Sequence, residues 1–186
     1  VFDLGSTSKQ FTASSIVLLA QRGKLSLDDD IRKYIPEMPL YSRPVTIRHL
    51  IHHISGIRDY LQLMSLAGID FDGITNDDDA LGLIARQKEL NFMPGNEHLY
   101  SNSGYFLLSI IVKRVGGKSL AEFARENIFE PLGMKHSHIH DDHTLIVPLR
   151  ATAYALRQGG GFRIDMSGFE QTGDGAVQTT LEDLLL

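Results

Sequence analysis

The sequence predicts an α+β fold dominated by helices, and three observations carry that expectation. Two long stretches, 6–22 and 104–115, are apolar on almost every face and so read as helices that need neighbours all round. Several shorter stretches open on helix-capping residues. The stretch 148–178 is glycine-rich and has no helical period, so it reads as loops with short strands.

Each element has a local reason. The first helix runs from Ser6 to about Arg22 through Ile16, Val17, Leu18 and Leu19, and Gly23 stops it. A loop containing Pro36, Pro39 and Pro44 follows. Thr46 then caps a short helix through Ile51, ending near Ser55-Gly56. Asn76 precedes three aspartates, Asp77 to Asp79, which suit the positive end of a third helix. Tyr105, Leu107, Leu108, Ile110, Ile111 and Val112 form a buried fourth, closed by Gly116-Gly117. Ser119 and Glu122 make a capping box for a fifth, and Thr179-Thr180-Leu181-Glu182 starts another near the end. No internal repeat or linker divides the chain, so residues 1–186 read as one domain or part of one.

Composition excludes several classes of function. A net charge of -5 with no basic cluster leaves no track for a phosphate backbone, so no nucleic-acid partner is expected. No apolar run is long enough to cross a bilayer, and the N-terminus lacks the basic-then-apolar pattern of a signal peptide. The absence of cysteine removes disulfides, thiolate metal sites and cysteine nucleophiles.

Two motifs carry chemistry. Ser6 and Lys9 stand three positions apart at a helix start, on one face, where the amine can reach the hydroxyl and take its proton. The free N–H groups of a helix N-terminus favour the resulting oxyanion. The plain structural reading of the same pair is an N-cap serine and a solvated first-turn lysine. The second motif is Tyr100-Ser101-Asn102, just before the fourth helix. Alternation along an extended segment lets Tyr100 and Asn102 face one cleft while Ser101 faces away. A phenol beside a lysine can exchange a proton with it, and an amide can hold the lysine or a substrate carbonyl. Its plain reading is a core tyrosine and a turn asparagine.

The order of these segments resembles the serine β-lactamase and penicillin-binding-protein superfamily, in the branch of class C β-lactamases, DD-peptidases and related esterases. The resemblance covers nearly the whole chain. It includes Phe2 to Lys9, Gly23 to Asp29, Thr46 to Gly56 (like a family segment ending H-T-S-G), Tyr100-Ser101-Asn102 as Y-x-N, and Pro131-Leu132-Gly133-Met134. It implies a β-lactamase/transpeptidase-like architecture, an antiparallel sheet with flanking helices plus a helical subdomain, of which this chain covers mostly the helical part. It also implies acyl transfer on a small-molecule or peptide ester, amide or β-lactam. Ser6 would be the nucleophile, Lys9 and Tyr100 would share the proton transfers, Asn102 would bind substrate or Lys9, and the Ser6 N–H would be one oxyanion donor. No metal or other cofactor is implied.

The family's third motif, K-T-G or H-x-G, is expected beyond the segment Gly173 to Asp183, and its leading strands before Val1. The chain therefore reads as a domain truncated at both ends, with exposed apolar surface that would favour self-association. A non-catalytic binding module or inactive fragment is the alternative. Family members are often exported, which leaves the compartment open.

Other signals are read as structural. His136, His138, His140 and His143 with Asp141 and Asp142 could ligate a metal, but a surface loop after the Pro131 turn is the reading taken, with no functional metal. His49, His52 and His53 read as packing and hydrogen-bonding residues. Asp28 to Asp30 read as solvated helix-start charges.

Overall fold

The computed structural model of the chain describes residues 1–71 and 73–186. Eight α-helices are formed among them: α1 (Lys9–Gln21), α2 (Ile47–Ile51), α3 (Tyr60–Leu66), α4 (Asp77–Ala85), α5 (Asn102–Gly116), α6 (Leu120–Ala124), α7 (Glu130–Leu132) and α8 (Leu181–Leu184). The strands are short: β1 (Phe2–Asp3), β2 (Ile74–Thr75), β3 (His138–Ile139), β4 (Tyr154–Leu156), β5 (Phe162–Ile164), β6 (Gly168–Phe169) and β7 (Val177–Thr179). An antiparallel sheet in the order β1-β7-β3, with Phe2 opposite Thr179 and Ile139 opposite Val177, lies beside the helices, which is the expected α+β class.

The core is built around α5, which packs against α1, α2, α3 and α6. Phe106, Leu107, Leu108, Ile111 and Val112 on it are fully buried. At about 2 kcal/mol for each large apolar side chain removed from water, this one helix contributes a large part of the hydrophobic stabilisation. It stops where Gly117 takes a left-handed φ of 73° and its N–H closes back on the Lys113 carbonyl.

The capping residues do what their types predict. The Thr46 hydroxyl accepts the His49 N–H, and the His49 ring accepts the Thr46 N–H in return. Asn76 with Asp79 and Ser119 with Glu122 close the same reciprocal box on α4 and α6. Thr180 caps α8 through the Asp183 N–H.

Several expectations need correction. The first helix does not begin at Ser6. Residues Gly5–Ser8 form a 3-10 turn, and the α-helix begins at Lys9. Nor is α1 covered all round: Ile16 and Leu19 are buried, whereas Val17 is 40% exposed and Gln10 and Ser14 face solvent. The fifth helix continues through a π-helical turn, Arg125–Phe129, into α7. Helix α3 was not expected at all; Asp59 caps it by accepting the Leu61 and Gln62 N–H groups. Asp28 and Asp29 are not helix-start charges. Asp28 pairs with Arg48, and Asp29 accepts from Tyr34 and Lys33, while only Asp30 caps a helical turn, Ile31–Lys33.

Candidate active site

The 3-10 turn presents Ser6 directly ahead of α1. Its entry is fixed by Gly5, whose φ of 51° an L side chain rarely adopts and whose N–H donates to Asp3 Oδ1 at 2.7 Å. Lys9, one turn on, is 7% exposed, so the reading of it as a solvated residue fails. Its Nζ donates to Ser6 Oγ at 3.1 Å, Asn102 Oδ1 at 2.9 Å and the Asp174 carbonyl at 2.6 Å. The Tyr100 hydroxyl lies 2.6 Å from Ser6 Oγ, and the Tyr100 ring centroid 4.8 Å from Lys9 Nζ. Four residues named from the sequence, Ser6, Lys9, Tyr100 and Asn102, thus converge across more than ninety positions of chain.

The second motif is held from two sides. Asn102 is the first residue of α5, and its backbone N–H donates to Asp59 Oδ2 at 2.6 Å. The other carboxylate oxygen of Asp59 caps α3, so one buried side chain ties two helix starts together. The extended segment before α5 turns Tyr100 and Asn102 to the cleft, and Ser101 is buried away from it, as the alternation predicts. Ser101 also hydrogen-bonds through its N–H to the His53 ring.

Asp174 completes the surroundings, and no sequence signal pointed to it. Its carbonyl faces Lys9, and its buried carboxylate accepts a 2.9 Å hydrogen bond from the Tyr60 hydroxyl. Burial raises the Asp174 carboxyl to about 6, against the opposing pull of the Lys9 charge and the Tyr60 hydroxyl. Burial first, and the neighbouring Asp174 charge second, push the Tyr60 phenol far above the ordinary tyrosine range. Gly173 makes this approach feasible. A Cβ there would lie 2.4 Å from the Tyr105 carbonyl oxygen, and its own carbonyl accepts from Thr12 Oγ1 at 2.8 Å. A carbonyl contact of this kind leaves no mark on residue type.

The arrangement suits nucleophilic acyl chemistry. A hydroxyl lies within hydrogen-bond reach of an amine and a phenol, and the amine is oriented by an amide and a carbonyl. The other candidate cluster is spread out. Of the histidine-rich segment, His143 pairs with Glu170 at 2.6 Å, and with Asp142 these form the one group among the described residues whose metal-ligating atoms lie within 4.8 Å of one another. His136, His138 and His140 do not join it. Among the described residues no helix is long and apolar enough to cross a membrane.

This geometry can be set beside known proteins. The chain is 31% identical over 199 residues to a penicillin-binding protein of Bacillus subtilis (strain 168), covering 99% of this chain and 43% of that protein. It is 33% identical over 181 residues to a D-aminopeptidase of Brucella anthropi, covering 97% of this chain and 34% of that one. Among solved structures, a penicillin-binding protein from Bacillus halodurans superimposes with a TM-score of 0.84 at 28% identity, over 99% of this chain and 58% of that one. The chain thus spans between about a third and two fifths of the two curated relatives. The model of the family described as Beta-lactamase matches residues 1–186, and the chain belongs to that family.

Proposed function

We propose that this chain carries the nucleophile machinery of a serine hydrolase that works through a Ser6 acyl-enzyme. The observation that carries the reading is the convergence on Ser6 Oγ of Lys9 Nζ at 3.1 Å and the Tyr100 hydroxyl at 2.6 Å. The geometry around Lys9 supports a direction for the proton. Asn102 Oδ1 and the Asp174 carbonyl can only accept, so they take two of the N–H groups on Nζ. The third tetrahedral position faces Ser6. In an ammonium it is a third N–H; in a neutral amine it is the lone pair, aimed at the serine proton. In its neutral form the amine takes that proton as Oγ attacks the carbonyl carbon. Tyr100, hydrogen-bonded to the same oxygen, passes a proton to the leaving group, and water then reverses the sequence to release the acid. The Ser6 N–H, in the turn ahead of α1, serves as one oxyanion donor.

The substrate class follows from the relatives and is part of the same proposal: a carbonyl in a D-amino-acid amide or peptide, a β-lactam or a small ester. The D-aminopeptidase relative favours the first. The test is hydrolysis of a D-amino-acid p-nitroanilide beside its L enantiomer and a penicillin. The reading expects turnover of the D form at least tenfold above the L form, abolished by Lys9→Ala; equal turnover of the two enantiomers would remove the D-amino-acid assignment, and turnover that survives Lys9→Ala would remove the mechanism. Exposed Val17, Leu181 and Leu185 support self-association through apolar surface as a further part of this reading, to be read by light scattering.

A further inference from the structure

We infer that His53 is a positioning residue that holds the Tyr100 phenol against Ser6. The inference rests on the reading of Tyr100 as a proton-transfer group. His53 makes four contacts around this tyrosine. The His53 backbone carbonyl accepts the Leu99 N–H at 2.9 Å, and its ring Nδ1 accepts the Ser101 N–H at 3.2 Å, so both neighbours of Tyr100 are tied to it. Its ring also lies against the Tyr100 ring, with centroids 4.6 Å apart and planes tilted by 31°, and near the Tyr105 ring at 5.1 Å. Tyr100 is thereby fixed before, after and across its ring, although 45% of it is exposed.

The backbone of His53 points the same way. It follows the last turn of α2 with φ at 57°, and its N–H returns to the Leu50 carbonyl. Helices that end in this left-handed conformation usually place glycine or asparagine there. Termination of α2 has no need of an imidazole, so the strained conformation is explained by where it sends the ring.

The contact also fixes the tautomer. A backbone N–H can only donate, so Nδ1 holds the lone pair and Nε2 the proton. Protonation of Nδ1 would set a donor against a donor and release Ser101. The groups that face the ring are Lys9 from α1, His52 at the end of α2, His98 and Tyr100 from the segment leading into α5, and Tyr105 on α5. Burial first, then the Lys9 and His98 charges, hold His53 below the ordinary histidine range, so the clamp is closed at neutral pH and opens in acid.

The test compares His53→Gly and His53→Asn with wild type. Both residues tolerate the left-handed backbone, and only asparagine keeps an acceptor near the place of Nδ1. Acylation by an activated ester is followed from pH 5 to 8, with a melting curve for each variant and a crystal structure of His53→Gly. The expected result for His53→Gly is a loss in kcat on the order of 10–100-fold with little change in KM, as for other residues that orient a reacting group. His53→Asn should recover to within about fivefold, because it returns an acceptor to the Ser101 N–H. A folded His53→Gly that keeps the wild-type rate overturns the inference, as does a Tyr100 hydroxyl that remains on Ser6 in its structure. Should His53→Gly not fold, a His53→Asn rate more than about fivefold below wild type with the Tyr100 hydroxyl still on Ser6 in its crystal structure does the same. Tyr100→Phe separates the two levels: full activity there removes the role of Tyr100 itself, and the Tyr100 position in the His53→Gly structure then decides the clamp alone.

Discussion

Asp174 meets Lys9 with its backbone and turns its carboxyl into the interior, where Tyr60 is its hydrogen-bond donor. That split has a consequence for stability. The folded value of about 6 lies above the ordinary aspartate value of about 3.9, so the folded state holds the proton more tightly than the unfolded one. The stabilisation from that proton is complete below about pH 4 and is lost as pH rises through 6, a change on the order of 3 kcal/mol. Asp174→Asn, which has no carboxyl to titrate, should therefore show no such fall. Urea unfolding from pH 4 to 7 is expected to give a wild-type stability that declines relative to the variant; parallel curves would refute it. At this scale the sequence was informative where chemistry is local. Ser6 and Lys9 are one helical turn apart, and Tyr100 and Asn102 alternate along one strand-like segment. Asp59, His53 and Asp174 were not legible as site residues, because each acts through a main-chain N–H or carbonyl, with chain 43 to 165 positions away, and such a contact leaves no residue-type pattern.

At the scale of elements, the site depends on how closely the 173–175 segment can approach α5. A Cβ at Gly173 would meet the Tyr105 carbonyl oxygen at 2.4 Å and Ser109 Cβ at 2.8 Å, with φ at 104°. Gly173→Ala should accordingly cost at least about 2 kcal/mol by overpacking and backbone strain, and should move the Asp174 carbonyl away from Lys9. The expected pairing is a lower urea midpoint together with slower acylation; an unchanged midpoint would contradict it. Helix starts were the most legible elements, since Thr46, Asn76, Ser119 and Thr180 all cap where their types predict. The strands were the least legible, because pieces of two or three residues are too short to display a period of two. Helix α3 was missed for a related reason: its seven residues follow Gly56 closely, and its cap, Asp59, has a second task on α5.

Across the whole molecule, the apolar runs foretold a helical core, and α5 with its neighbours provides it. They overstated the cover on α1, because composition reports how apolar a helix is and not which side its neighbours occupy. The core matters to the chemistry as a frame. It brings the first turn of the chain, the start of α5 and the segment ahead of β7 to one point, where Ser6, Lys9, Tyr100, Asn102 and Asp174 meet. The central claim is that this meeting point makes Ser6 a nucleophile. The most direct measurement is the intact mass of the protein after incubation with a penicillin and, separately, with an activated ester, beside Ser6→Ala. The account predicts a single acyl adduct on the wild type and none on the variant. An adduct that persists in Ser6→Ala, or no adduct from either reagent on the folded wild type, would contradict it.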